Sequence, residues 1–158
     1  MLRILILFLI LIGVSLLVYE PEPGRLSENF FEAEFACPCC GQTEVDPRLV
    51  KGLQKFREAL GEPLFISSGY RCPKHNRAVG GRGASAHLSG KAADVFAHGF
   101  TATELFRRAA AFSAFRNWNI GVYPDRHFLH LEVGTQPKRW VKRRTGSQTL
   151  NPSKRTKE

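Results

Sequence analysis

Apolar residues run from Ile4 to Tyr19 behind a single Arg3, and no later block of the chain is as long or as apolar. A run of this length exceeds most signal-peptide cores and falls short of the roughly 20 residues that span a bilayer. With no obvious small-x-small cleavage site before Glu20, residues 1–19 read as an N-terminal hydrophobic helix acting as an uncleaved signal anchor, with a cleaved signal peptide as the alternative. Arg3 precedes the run and Glu20 and Glu22 follow it, so the N-terminus is expected in the cytoplasm and the folded part outside.

Beyond residue 19 the pattern changes period several times. Residues 20–29, rich in proline and polar side chains, read as a linker, and 30–45 as an irregular segment bearing cysteines. Asp46 and Pro47 make a helix start, and Leu49, Leu53, Phe56 and Leu60 then recur at helical spacing. "PLFISSGYR" predicts a strand opening into a turn, "PKHNRAV" a short helix, and the glycine-rich "GGRGASAHLSG" a loop. "KAADVFA" has the small apolar character of a buried strand. Thr101 and Glu104 form a capping box for a helix through about Phe115. "NIGVYP" and "FLHLEVG", joined by "DRH", predict a hairpin.

Helices and strands interleave without a repeated strand-helix-strand rhythm, so the expected class is α+β: a small antiparallel sheet flanked by helices in one domain, residues 30–142. Charge adds one feature. Of a net +9, residues 138–158 supply +7 through eight Lys/Arg and one Glu, which marks 143–158 as a basic, solvated, disordered tail. Such a tail usually suggests nucleic acid, but an exported chain meets anionic lipids and wall polymers instead.

Candidate chemistry sits on the short elements. His87 and Asp94 flank Gly90, where the chain can turn back on itself. On an extended strand Phe128, His130 and Glu132 share one face while Leu129 and Leu131 take the other, so His130 should look into a cleft. Three ligands from His, Asp, Glu or Cys with one open position is the usual donor set of a catalytic zinc. Taken singly, each of these residues is more often a hydrogen-bonded structural residue than a ligand.

Three segments in order, "SGYRCPKHNRAVGG", "SAHLSGKAAD" and "GVYPDRHFLHLEVG", resemble the zinc D-Ala-D-Ala carboxypeptidase family, which includes the peptidoglycan L-alanyl-D-glutamate and related murein endopeptidases. The resemblance runs from about Phe30 to Trp140. It implies a DD-peptidase/Hedgehog-like fold, one catalytic Zn2+, and peptidoglycan peptide stems as substrate; the chain is expected to be a monomer. Residue by residue it implies His87, Asp94 and His130 as zinc ligands, Arg71 as the group that stabilises the oxyanion or anchors substrate, and Ser85 as a substrate contact beside the metal.

The proton carrier is less defined. Family branches place an acid or a histidine two or three residues before the last ligand, where this chain has Phe128 and His127. Phenylalanine cannot serve, so His127 is the first choice, with Asp125 and Glu132 as competitors. Strict alternation points His127 away from His130, so the choice requires a bend at the hairpin end. Glu132 has a second reading, as a group that orients a ligand. Tyr123 and Trp118 line either the cleft or the core, and His98 reads as a surface residue. Cys37, Cys39, Cys40 and Cys72 are an even set in an exported protein, which favours disulfides; a C-x-x-C plus C-x-x-H zinc site of Cys37, Cys40, Cys72 and His75 is the alternative. Two other readings compete with a peptidase: a zinc-containing module that binds peptidoglycan without cleaving it, and a metal-free structural domain whose basic tail binds anionic surfaces.

Overall fold

A computed structural model describes residues 22–143 and 146–150. The hydrophobic run at 4–19 and the end of the basic segment, from 151, lie outside the described residues. Among the described residues no helix is long and apolar enough to cross a membrane.

The elements follow in the order α1 (Glu32–Phe35), α2 (Pro47–Leu60), β1 (Phe65–Ser68), α3 (Pro73–Ala78), a 3-10 turn (Ala86–Ser89), β2 (Ala92–Phe96), α4 (Ala102–Ala111), β3 (Asn119–Tyr123), β4 (Phe128–Glu132), β5 (Arg139–Arg143) and β6 (Gly146–Leu150). The Asp46 carboxylate accepts from Arg48 N–H at the start of α2, and Thr101 and Glu104 close their capping box on α4. Helix α4 stops at Ala111 rather than near Phe115, and a 3-10 turn at Ser113–Phe115 carries the chain on.

Alternation organises the sheet. Val95, Leu129, Leu131, Ile120 and Val122 are buried and pack with Leu49, Leu53 and Phe56 of α2 and Leu105 and Ala109 of α4 in one hydrophobic core. The intervening residues of the same strands, among them Asp94 and His130, face the other way.

Three expectations need correction. The sheet is neither small nor wholly antiparallel: six strands run in the order β1-β2-β4-β3-β5-β6, and β5 pairs parallel with β3. Its edge extends past the expected domain end, because Gly146–Leu150 pairs antiparallel with β5 where a disordered tail was expected. The segment at 22–29 is docked rather than free. The side-chain amide of the buried Gln54 accepts from Ser27 Oγ at 2.9 Å and from Asn29 N at 3.1 Å, and it donates to Asn29 Oδ1 at 2.9 Å. A buried amide needs such partners, and the polar residues that resemble a linker supply them.

Candidate metal centre

The inner strands bring one row of residues into register on the face opposite the core. Ser68 of β1 lies opposite Asp94 of β2, Asp94 opposite His130 of β4, His130 opposite Gly121 of β3, and Gly121 opposite Trp140 of β5. A Cβ on Gly121 would fall 2.2 Å from Trp140 Cε2, so the indole lies across the glycine, its ring centroid 5.5 Å from that of His130. Two residues along the strands, Phe65 stacks on Phe96 and Tyr123 on Phe128, with centroids 5.3 and 4.4 Å apart. An aromatic floor therefore adjoins the polar row.

His87 reaches this row from the 3-10 turn and is buried. Its Nε2 is 3.3 Å from His130 Nδ1 and 3.3 Å from Asp94 Oδ1, and His130 Nδ1 is 2.9 Å from Asp94 Oδ1. Donors about 2.0–2.1 Å from a tetrahedral zinc stand about 3.3 Å apart, so this triangle has the size of one face of such a site. The three atoms form a group that could hold a metal ion, and three donors leave a fourth position for water or substrate.

Each donor is steadied from behind. His87 Nδ1–H donates to the Gly69 carbonyl at 2.7 Å, which turns the Nε2 lone pair towards the row. His130 Nε2 lies 3.4 Å from Glu132 Oε2, and Asn119 Nδ2 donates to Glu132 Oε1 at 2.8 Å. Asp94 Oδ2 accepts from Arg71 Nη2, whose Nε–H donates to Ser68 Oγ at 2.8 Å. Partners of this kind fix ring orientation and tautomer at metal sites.

The same contacts set the charges. Burial by itself would lower the His130 imidazolium, but Asp94 and Glu132 push it up to about 9. Burial would raise the Asp94 carboxyl, yet His130 and His87 hold it well below the usual carboxylate range. The folded His130 value exceeds its ordinary 6.5, so its contribution to stability is complete below that pH and lost as pH rises through about 9. The depressed Asp94 contributes above the ordinary carboxylate range, and its share is lost as pH falls through its own lowered value. In chelator-treated protein the melting temperature is therefore expected to fall between pH 6.5 and about 9. Zinc loading should flatten that slope, because the cation takes the proton's place. A chelated chain with a flat profile across this window would contradict the charge pattern.

The other expected site residues are spread more widely. Arg71, expected as an oxyanion or substrate group, donates to Asp94 and Ser68. Glu132 is on the metal face, held by Asn119 and beside His130. Ser85 is half-buried and immediately precedes the turn that carries His87. Tyr123 belongs to the aromatic floor. Asp125 and His127 are exposed in the β3–β4 connection, and His127 has a left-handed backbone (φ 56°), which provides the bend its proposed role requires. No hydrogen bond joins its ring to the donor group. Trp118 is in the core against Phe115, and His98 is exposed, edge-on to Phe65 and Phe96. Sequence reasoning missed Trp140, Asn119 and Ser68. The strand alternation of "NIGVY" could have pointed to Asn119, since residue 119 shares a face with Gly121.

The four cysteines are free thiols, and the sulfurs of Cys37, Cys40 and Cys72 converge without His75. Burial alone would raise the Cys37 thiol, but backbone N–H groups of Cys72 and Cys39 bring it down to about 7.

Nitrogen and oxygen donors from His87, Asp94 and His130, with a fourth position open, are the donor set of a catalytic zinc site on an α+β scaffold. A family model described as Peptidase M15 matches residues 28–132, and the chain belongs to this family of zinc D-Ala-D-Ala carboxypeptidases. It is thus a metallopeptidase by family, and family members depend on zinc. No curated protein sequence matches the chain.

Proposed function

We propose that this chain is an exported zinc peptidase that hydrolyses the peptide stems of peptidoglycan, held at the membrane by its N-terminal hydrophobic segment. The observation that carries the reading is the His87–Asp94–His130 triangle, 2.9–3.3 Å on each side, with a separate partner behind each donor. A zinc ion held by these three residues would supply a Lewis acid for the scissile carbonyl and lower the pKa of the attacking water.

The chain's own residues do the rest. Arg71 pairs with Asp94 and aims it at the centre. Glu132, oriented by Asn119, fixes the His130 ring. Trp140, Tyr123 and Phe128 form the aromatic floor beside the donors, and Ser85, just ahead of the His87 turn, is placed to contact a stem. His127, carried by the left-handed turn, takes a proton at a ring nitrogen and returns it to the leaving amine.

His127→Ala is expected to keep its zinc and lose roughly 10²-fold or more in rate, the usual scale of acid–base catalysis. Unchanged turnover in that variant would move the base to Asp125 or Glu132. Mass spectrometry of products from defined muropeptides identifies the bond: a D-Ala-D-Ala end, a cross-link, or L-Ala-D-Glu. A second reading, a zinc-containing module that binds peptidoglycan without cleaving it, is favoured by one observation: the exposed His127 ring has no hydrogen bond to the donor group. Zinc-loaded protein that binds sacculi and releases no product would establish it.

A further inference from the structure

The cysteine cluster lies outside the mechanism, and its backbone has a definite form. Residues 37–41, "CPCCG", close a tight turn in which Cys40 N and Gly41 N donate to the Cys37 carbonyl at 3.3 and 2.8 Å. Such a turn sets the thiols of Cys37 and Cys40, three residues apart, on one side. Cys72 comes from the loop after β1, and the three sulfurs lie within 4.8 Å of one another. Thiolates about 2.3 Å from a tetrahedral zinc stand about 3.8 Å apart, so little movement would close them on an ion.

Backbone donors are aimed at the sulfurs as well. Cys72 N–H donates to Cys37 Sγ at 3.4 Å, and His75 N–H to Cys72 Sγ at 3.4 Å. A thiolate is a charged acceptor and gains from such donors, whereas neutral sulfur accepts weakly. A disulfide would also use only two of three convergent sulfurs and leave the third unpaired beside it.

We propose that Cys37, Cys40 and Cys72 bind a structural zinc ion, separate from the His87–Asp94–His130 centre. Cys39, exposed in the same 37–41 turn, is the candidate donor for the fourth position.

The ion would staple the 37–41 turn to the segment that supports the other centre. Gly69, three residues before Cys72, accepts the His87 Nδ1–H bond, and Arg71, its immediate neighbour, holds Asp94 through its side chain and donates its N–H to the His87 carbonyl at 3.1 Å. Tyr70 N donates to Phe35 O at 2.8 Å, tying the same two segments together on the other side of Arg71. The thiolate site is therefore a brace behind two of the three donors.

The test uses the full chain reconstituted without oxygen with cobalt(II) in place of zinc. Thiolate coordination gives an intense near-ultraviolet sulfur-to-cobalt charge-transfer band. The His/Asp centre contains no sulfur and cannot produce it, so the signal is independent of whether that centre hydrolyses anything. The wild-type chain is expected to show the band, and His87→Ala is expected to lose metal while keeping it. Cys40→Ser, at an exposed position, should weaken the band and lower metal affinity by at least about tenfold. Cobalt-loaded wild type without the band would overturn the proposal. So would alkylation and mass spectrometry of chain unfolded without reductant, if these cysteines were found joined as disulfides.

Discussion

Asp94→Ala is expected to remove the metal from the His/Asp centre and reduce peptidase activity to background. Asp94 contributes one donor oxygen to the triangle and gives the other to Arg71. Both side chains are nearly buried, at 15% exposure for Arg71 and 8% for Asp94. The substitution therefore opens the donor set and also leaves a guanidinium without its counter-charge, a loss that costs about 3–5 kcal/mol when a buried pair is broken from one side. Metal analysis should show zinc at this centre falling from stoichiometric to undetectable, with a lower melting temperature. Asp94→Asn, which keeps the volume and one oxygen donor, should fold better than Asp94→Ala and still bind zinc weakly. Stoichiometric zinc at this centre in Asp94→Ala would rule out Asp94 as a ligand.

The second large effect comes from a residue that bonds to no metal. Gly90 lies between His87 and Asp94 with φ +62°, and a Cβ there would sit 2.2 Å from the Glu44 carbonyl oxygen. Its own carbonyl accepts from Asp46 N at 2.9 Å, so the backbone is held on both sides. Gly90→Ala adds the left-handed penalty of about 1–2 kcal/mol to an overpacking cost of about 1–3 kcal/mol. The neighbour it strikes is backbone and cannot rotate away. Thermal unfolding should show a loss of at least about 2 kcal/mol, and zinc affinity should drop because the turn between the two ligands must shift. A variant with wild-type stability and zinc content would mean that this turn tolerates a side chain.

Much of this site could be read along the chain because its rules are local. Two-residue alternation puts Leu129 and Leu131 in the core and His130 on the opposite face, and the caps at Asp46 and Thr101 announce α2 and α4 without reference to anything distant. The unread parts depend on partners far away in sequence. Trp140 reaches His130 only because β5 adds to β3 in parallel, and the basic residues around it suggest a solvated end rather than a strand. Ser27 and Asn29 look like linker residues until Gln54, more than twenty positions later, accepts their hydrogen bonds. Spacing places Arg71 and Glu132 near the site but cannot say whether they turn to a substrate or to a ligand. In the folded chain Arg71 contacts Asp94 and Glu132 contacts His130.

A zinc ion held by His87, Asp94 and His130 would make the chain a peptidase of peptidoglycan stems. Digestion of defined muropeptides with the full chain, with chelator and after zinc is restored, tests it most directly. The expected result is stem cleavage by the zinc-loaded chain, none with chelator, and recovery when zinc is returned. Zinc-loaded protein that leaves every muropeptide intact, or cleavage that persists undiminished in chelator, would contradict it.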